Sequence, residues 1–279
     1  MTQIGHDIAD FALKIPGRED SSIRLSWASA TDIGLRRSIN EDSSIAQAPI
    51  FAVADGMGGH SSGDLASDAV VSRLADVAVS HFLTPEQITE ALVNATADIE
   101  KVTDTSMLGV GTTVTGAALA LRGTDPCFAL FNVGDSRVYL FEDGRLTQVT
   151  IDHSVVQEMV DAGILSAADA ETHPDSNVIT RAIGFGATPQ PDYWMVPIRT
   201  GQRVLICSDG LTKEVSAEDL TTLLAAGASS LDTANSLVDA ALKGGGRDNV
   251  TVVIVDVLEA PNDREFDEDI EDTAPRGRN

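Results

Sequence analysis

Cysteine, aromatic side chains, positive charge and long apolar runs are all scarce in this 279-residue sequence, and each scarcity excludes something. Two cysteines, Cys127 and Cys207, make no disulfide framework, and nothing requires an oxidising compartment. Both lie inside apolar, strand-like runs, CFALF and VLIC, where a cysteine behaves as a small buried hydrophobe. Neither sits in a phosphate-cradling loop, which disfavours a thiolate nucleophile. Aromatics are 4% of the chain, so aliphatic and alanine side chains must fill the core, and a hydrophobic content of 43% is ample for that. Nineteen basic residues against 43 acidic ones give a net charge of −24 and a pI of about 4.3. Such a surface repels nucleic acid and anionic lipid, so neither is an expected partner, while retention of divalent cations is compatible with it. The first twenty residues lack the basic start and continuous apolar core of a signal peptide. The longest apolar run near the end, VTVVIVDVL, is far too short to span a bilayer. A soluble, cytoplasmic, monomeric protein is the expectation.

What is present is organised around Ile50 to His60, IFAVADGMGGH. An apolar run reads as a buried strand and stops at an acid, Asp55, followed by glycines that let the backbone bend tightly or approach something closely. A carboxylate at the mouth of a buried strand is costly unless a charge partner waits there. Three further aspartates share this setting: Asp135 follows FALFNVG, Asp209 follows VLICS, and Asp248 precedes VTVVIV. Asp143-Gly144 does not, since polar residues flank it and it reads as a plain hairpin turn. If the strand ends meet at one edge, the carboxylates crowd, and a cation relieves the repulsion. An all-oxygen donor set favours Mg²⁺ or Mn²⁺ over zinc, and none of the five histidines has zinc spacing. His60 reads as a loop residue. Arg36 and Arg37 precede Asn40-Glu41-Asp42 in a polar loop, and arginine suits bidentate phosphate binding. Residue types alone leave metal-assisted phosphoester hydrolysis as one reading among several.

Along the chain, residues 1–22 read as a peripheral segment with a short helix near Asp7–Lys14. A strand near Leu25–Ser29 and a strand over Ser43–Asp55 follow. Helices are expected over Ser61–Phe82, with Leu65, Ala69, Val70, Leu74 and Val77 on one face, and from Thr84-Pro85 to Val102. Strands are expected at Cys127–Val133, Val138–Glu142, Arg145–Val149, Tyr193–Pro197, Arg203–Cys207 and Val250–Val257. Short helices are expected within 152–173, and longer ones over Ser216–Ala226 and Leu231–Lys243. Hairpin-type pairs interrupted by two helical blocks point to an α+β layered fold with mainly antiparallel sheets. The folded domain is expected over 23–258. Residues 259–279 read as a disordered acidic tail, either solubilising or docking to a basic partner surface.

The order and spacing of GLRRSINED, FAVADGMGGH, GTT at Gly111–Thr113, NVGDSR, CSDGL and GGGRDNVTVV resemble the metal-dependent protein phosphatases of the 2C type, in their bacterial form. The likeness runs over about residues 25 to 257. It implies a four-layer sandwich, two mainly antiparallel β-sheets flanked by α-helices. It also implies a serine/threonine phosphatase in which water between two Mn²⁺ or Mg²⁺ ions attacks phosphorus without a phospho-enzyme, opposing a bacterial Ser/Thr kinase. Asp55 would bridge the ions, the Gly56 carbonyl would bind one, and Asp209 and Asp248 would hold the other. Glu41 and Asp42 would support the site from behind. Asp135 would help form a third, looser site. Arg37 would bind the substrate phosphate, and residues near Asp152–Gly186 would form a flap beside the cleft. One departure bears on mechanism: Met57 stands where animal relatives carry a histidine proposed as proton donor. Two other readings fit the residues less well. A binding module that lost catalysis has no need of a costly carboxylate cluster. A nucleotide binder using GMGG or GVGTT lacks GxxxxGK[ST] and any lysine after either glycine group.

Overall fold

The computed structural model describes residues 1–58, 62–102, 109–170, 172–186 and 188–261. In chain order its elements are β1 (Gln3–Gly5), β2 (Ile8–Ile15), β3 (Arg18–Asp32), β4 (Asp42–Gln47), β5 (Ile50–Met57), α1 (Gly63–Val77) and α2 (Pro85–Val102). Then come β6 (Gly111–Thr112), β7 (Val114–Arg122), β8 (Asp125–Val133), β9 (Arg137–Glu142), β10 (Arg145–Gln148), α3 (Val155–Asp161) and α4 (Ala167–Ala170). The remainder are β11 (Ile183–Gly184), β12 (Asp192–Pro197), β13 (Arg203–Cys207), α5 (Asp209–Thr212), α6 (Ala217–Ala225), α7 (Ser230–Gly244) and β14 (Val250–Glu259).

The strands form two sheets. One runs β1-β4-β5-β7-β8-β12, with β6 and β11 attached beside β5, and the other runs β10-β9-β13-β14-β3-β2. Every pairing is antiparallel except β1 with β4. Central strands are apolar at consecutive positions because both faces are covered. On β13, Val204 and Ile206 face the space between the sheets, where they meet Phe51, Val53, Leu130, Val253 and Val255. Their neighbours Leu205 and Cys207 instead join Leu220, Leu224 and Leu237 of α6 and α7. On β5, Phe51 and Val53 point inward, and Ile50, Ala52 and Ala54 pack under Val70, Leu74, Ile88 and Leu92 of α1 and α2. The result is the expected α/β/β/α sandwich. Few aromatics suffice because one is placed centrally: Trp27 contacts Phe11 and Phe51 edge-on, each at 5.2 Å between ring centroids.

Local signals explain the boundaries. Thr84 and Gln87 cap α2 reciprocally, the Thr84 amide donating to Gln87 Oε1 (2.9 Å) and the Gln87 amide to Thr84 Oγ1 (3.4 Å). Asp143 and Gly144 turn the β9–β10 hairpin with φ of 52° and 75°, the left-handed pair that such two-residue turns require.

Several expectations are corrected. The helix over Asp7–Lys14 is instead β2, and the first residues are not outside the sandwich: β1 and β2 are edge strands of the two sheets, and Leu13 and Ile15 are buried in the inter-sheet core. A boundary between 22 and 23 cuts through β3. Ser43–Asp55 is a hairpin, not one strand, turning at the cis peptide Ala48-Pro49, because proline cannot continue a central ladder. Leu65 is half exposed, and α1 buries Ala66 and Ser67 next to it. Glu259, expected to open the acidic tail, is the last residue of β14, and residues 262–279 of that expected tail, with His60, lie outside the described residues.

Candidate metal centre

Antiparallel register brings the strand-end acids together. Cys207, the last residue of β13, lies opposite Arg137 on β9 and Val252 on β14. The residue pair after β13 therefore meets Ser136 and Asp135 just before β9 and the first two residues of β14, which brings Asp209, Asp135 and, two residues ahead of β14, Asp248 to one edge of that sheet. In the other sheet Asp42, the first residue of β4, lies opposite Asp55 on β5. A hydrogen bond joins the two edges: Ser208 Oγ donates to Asp42 Oδ2 at 2.9 Å while accepting from the Thr251 amide at 3.0 Å.

Each acid is held by its own backbone. The Asp55 carbonyl accepts from the Thr113 amide (2.9 Å) and Thr112 Oγ1 (2.8 Å), and its amide donates to Thr113 Oγ1 (3.1 Å). Gly56 admits no side chain, since a Cβ there would lie 2.2 Å from the Gly63 carbonyl oxygen and 2.5 Å from that of Glu41. Glu41 Oε1 accepts from the Gly63 amide at the start of α1 at 3.1 Å. Asp135 sits in a turn where Gly134 has φ of 114°, and a Cβ there would strike Thr113 at 2.6 Å.

Electrostatics set this edge apart. Asp42 is fully buried, and its carboxyl is pushed up to about 7, by burial first, with the charges of Asp209 and Asp248 adding to it. Asp55 is raised well above the carboxylate range, again by burial first and then by Asp42, Asp209, Asp135 and Asp248. Asp135 is pushed up to about 7 by burial and Asp209, with Lys213 opposing. Oδ1 of Asp42 and Oδ1 of Asp209 are buried without a hydrogen-bond partner. Buried carboxylate oxygens are rarely left so, and hard divalent cations seek such all-oxygen sets. The residues therefore fit a Mn²⁺ or Mg²⁺ centre. Among the described residues no three acidic, histidine or cysteine side chains are gathered closely enough to hold an ion by themselves. Two of the acids carry cation partners: Arg37 grips Asp248 with Nε and Nη2 at 2.8 and 2.9 Å, and Lys213 pairs with Asp209.

Every site residue expected from sequence except Arg37 is buried or half-buried here; Arg37 is exposed at the rim, with its side chain 48% accessible. Several supporting residues were not singled out. Asn249 ties the polar loop to β14: its Nδ2 donates to the Ile33 and Ile39 carbonyls (2.9 and 3.0 Å), and its Oδ1 accepts from the Glu41 amide (2.9 Å). Thr113 and Ser136 bond through their hydroxyls at 2.8 Å. Buried His153 accepts the Gly134 amide on Nδ1 (3.1 Å) and faces Asp192 through Nε2 (3.0 Å). Lys213 was missed as well. The available signal was position, since each lies in or next to a motif already noted.

A β-sandwich with buried, crowded carboxylates at one edge suits a divalent-metal enzyme, and the family comparison gives the class. Residues 38–244 match the family model described as Protein phosphatase 2C, and the chain belongs to that family. It is 38% identical over 239 residues to the serine/threonine protein phosphatase PstP of Mycobacterium tuberculosis, covering 84% of this chain and 45% of that protein. This chain thus spans less than half of that relative's length. With the serine/threonine phosphatase stp of Listeria welshimeri it shares 36% identity over 239 residues, covering 81% of this chain and 93% of that protein. Among solved structures it is similar to the M. tuberculosis phosphatase PstP/Ppp, with a TM-score of 0.77 at 37% identity over 85% of this chain and 100% of that one. It is also similar to the PstP catalytic domain in complex with two manganese ions, with a TM-score of 0.75 at 37% identity, covering 85% of this chain and 99% of that one. Among the described residues no helix is long and apolar enough to cross a membrane.

Proposed function

We propose that this chain is a protein serine/threonine phosphatase that hydrolyses phosphoserine and phosphothreonine on proteins with the aid of a pair of Mn²⁺ or Mg²⁺ ions. In this reading it acts in cytoplasmic signal transduction, as a monomer, and opposes a Ser/Thr kinase. Residues 1–261 serve as one phosphatase domain. The observation that carries the reading is the convergence of Asp42, Asp55, Asp135, Asp209 and Asp248 from distant segments, with buried carboxylate oxygens left unpartnered.

Asp55 and the Gly56 carbonyl are assigned to the ions together with Asp209 and Asp248, and Asp135 stands on a further arm beside Asp209. When bound, the ions supply Lewis acidity that activates water and neutralises phosphoryl charge. The protein's own groups do the positioning. Glu41 and Asp42 hold the cluster from behind, one through the Gly63 amide and the other through Ser208. Arg37 at the rim presents the planar fork that matches a phosphate dianion. Burial disfavours its charge, but the Asp248 contact and the charges of Asp55 and Glu41 raise its pKa, so it stays cationic. Met57 has no proton to give, so the residue after Asp55-Gly56 does not protonate the departing serine or threonine oxygen. Covalent catalysis by thiolate has no support, as burial pushes Cys127 up to about 11 and Cys207 up to about 12.

The test is phosphate release from a phosphothreonine peptide with and without Mn²⁺. Metal-dependent turnover that Asp209→Asn and Asp248→Asn abolish, with circular dichroism unchanged, is expected. Undiminished turnover in a chelator, or by Asp209→Asn, would overturn the reading.

A further inference from the structure

Lys213 is the one basic residue other than Arg37 that the described structure pairs with an aspartate of this cluster. Its position is dictated locally. The short helix α5 begins at Asp209 and turns directly against the start of β14, since a Cβ on Gly210 would lie 1.9 Å from the Asn249 carbonyl oxygen. The Lys213 amide caps that turn by donating to the Asp209 carbonyl at 2.9 Å. One helical turn past Asp209, the lysine side chain folds back, and its ammonium forms an ion pair with Asp209 Oδ2. It is two-thirds covered there, so this is not an idle surface pair.

The ammonium does not serve Asp209 alone. Burial works against its charge, and the fields of Asp209, Asp135 and Asp248 more than restore it. In return Lys213 is the neighbour that eases the charge on Asp135. The β9–β13 register, which sets Cys207 opposite Arg137, brings Asp209 opposite Asp135, so the lysine paired with Asp209 stands at the Asp135–Asp209 arm.

Charge bookkeeping gives this placement a consequence. Glu41, Asp42, Asp55, Asp135, Asp209 and Asp248 set against Arg37 and Lys213 leave four negative charges, which two divalent ions balance and three exceed. Resting on the metal-dependent reading above, we infer that Lys213 is a built-in cation that fills the Asp135–Asp209 arm and limits the centre to two divalent ions. A divalent ion entering that arm has to displace an ammonium already paired with one of its two carboxylates, and its gain is cut by the repulsion between the two cations.

The experiment counts bound Mn²⁺ per chain by equilibrium dialysis and elemental analysis, with free Mn²⁺ raised until the count stops rising. Electron paramagnetic resonance on the same samples reports coupling between neighbouring ions. The wild type is expected to level at two, Lys213→Arg at two, and Lys213→Gln and Lys213→Met at three. Adding Asp135→Asn to Lys213→Gln should return the count to two, and Asp135→Asn alone should leave it at two. A wild-type count of three that Asp135→Asn lowers would overturn the inference even if neither lysine variant folds. So would a count of two in a folded Lys213→Gln. A wild-type count of zero would instead overturn the metal-dependent reading itself, so the two failures are distinguishable.

Discussion

The molecule buries acid at both ends of the sandwich, and the two ends do so in opposite ways. At the far end, Asp256 on β14 meets Arg203 at the start of β13, with Nε at 2.5 Å from Oδ1 and Nη2 at 2.9 Å from Oδ2. Ser230 Oγ donates a further bond to Asp256 at 2.7 Å, and the remaining guanidinium donors reach the Leu224 and Ala228 carbonyls and Thr233 Oγ1. Both charges are closed off, and the pair locks the α6–α7 connection onto the sheet. At the other end, Asp42 and Asp209 keep buried oxygens without partners, and Asp42, Asp55 and Asp135 are all pushed toward protonation. Saturated charge holds the fold together, whereas unsaturated charge is held in readiness for a ligand at a cost to the fold.

Mutations should separate the two ends by what they damage. The largest effect is expected from Asp209→Asn at the unsaturated end: several kcal/mol of transition-state stabilisation, about 10³-fold in kcat/KM, read by phosphate release. At the saturated end Arg203→Met should leave Asp256 buried and unpaired, costing about 3–5 kcal/mol of stability in urea unfolding. If both variants lost stability equally, the contrast between the ends would fail.

A pH series sharpens the same contrast. Asp42 and Asp135 titrate near 7 in the folded chain, against about 3.9 for an unfolded aspartate, and Asp55 is shifted in the same direction. Between those values the folded state binds more protons than the unfolded state, so unfolding free energy falls as pH rises. In chelator, stability should therefore be present below about pH 4 and be lost progressively as pH climbs through 7. Urea midpoints from pH 5 to 8 check the sign, and Asp55→Asn should flatten the slope. The smallest effect is expected from Arg37→Ala. On the proposed role of Arg37, whose side chain is half exposed, the loss is that of one phosphate contact of roughly 1.5 kcal/mol, about tenfold, seen in KM more than in kcat.

How much of this was legible in the sequence follows from where each signal resides. The central strands were readable because sheets covered on both faces leave continuous apolar runs, as in VLIC and VTVVIV. The N-terminal strand was not: Ile8 and Phe11 sit three apart like one helix face, although Phe11, Leu13 and Ile15 alternate as a strand does. Pro49 was the available warning that Ser43–Asp55 turns back on itself. The aspartates stood out because each ends an apolar run, a local feature. Lys213, Asn249 and Thr113 did not, because their importance depends on which strand ends lie opposite one another. That register is set by packing across the whole sandwich rather than by their own neighbours.

The most direct test of the central claim is the unfolding midpoint of the chain at pH 7.5 in chelator and in saturating Mn²⁺. If the crowded acids are kept for divalent ions, Mn²⁺ at about a hundred times its dissociation constant should add roughly 2.7 kcal/mol or more, and Asp55→Asn should remove that gain. A midpoint that Mn²⁺ leaves unchanged in the wild type would contradict the account.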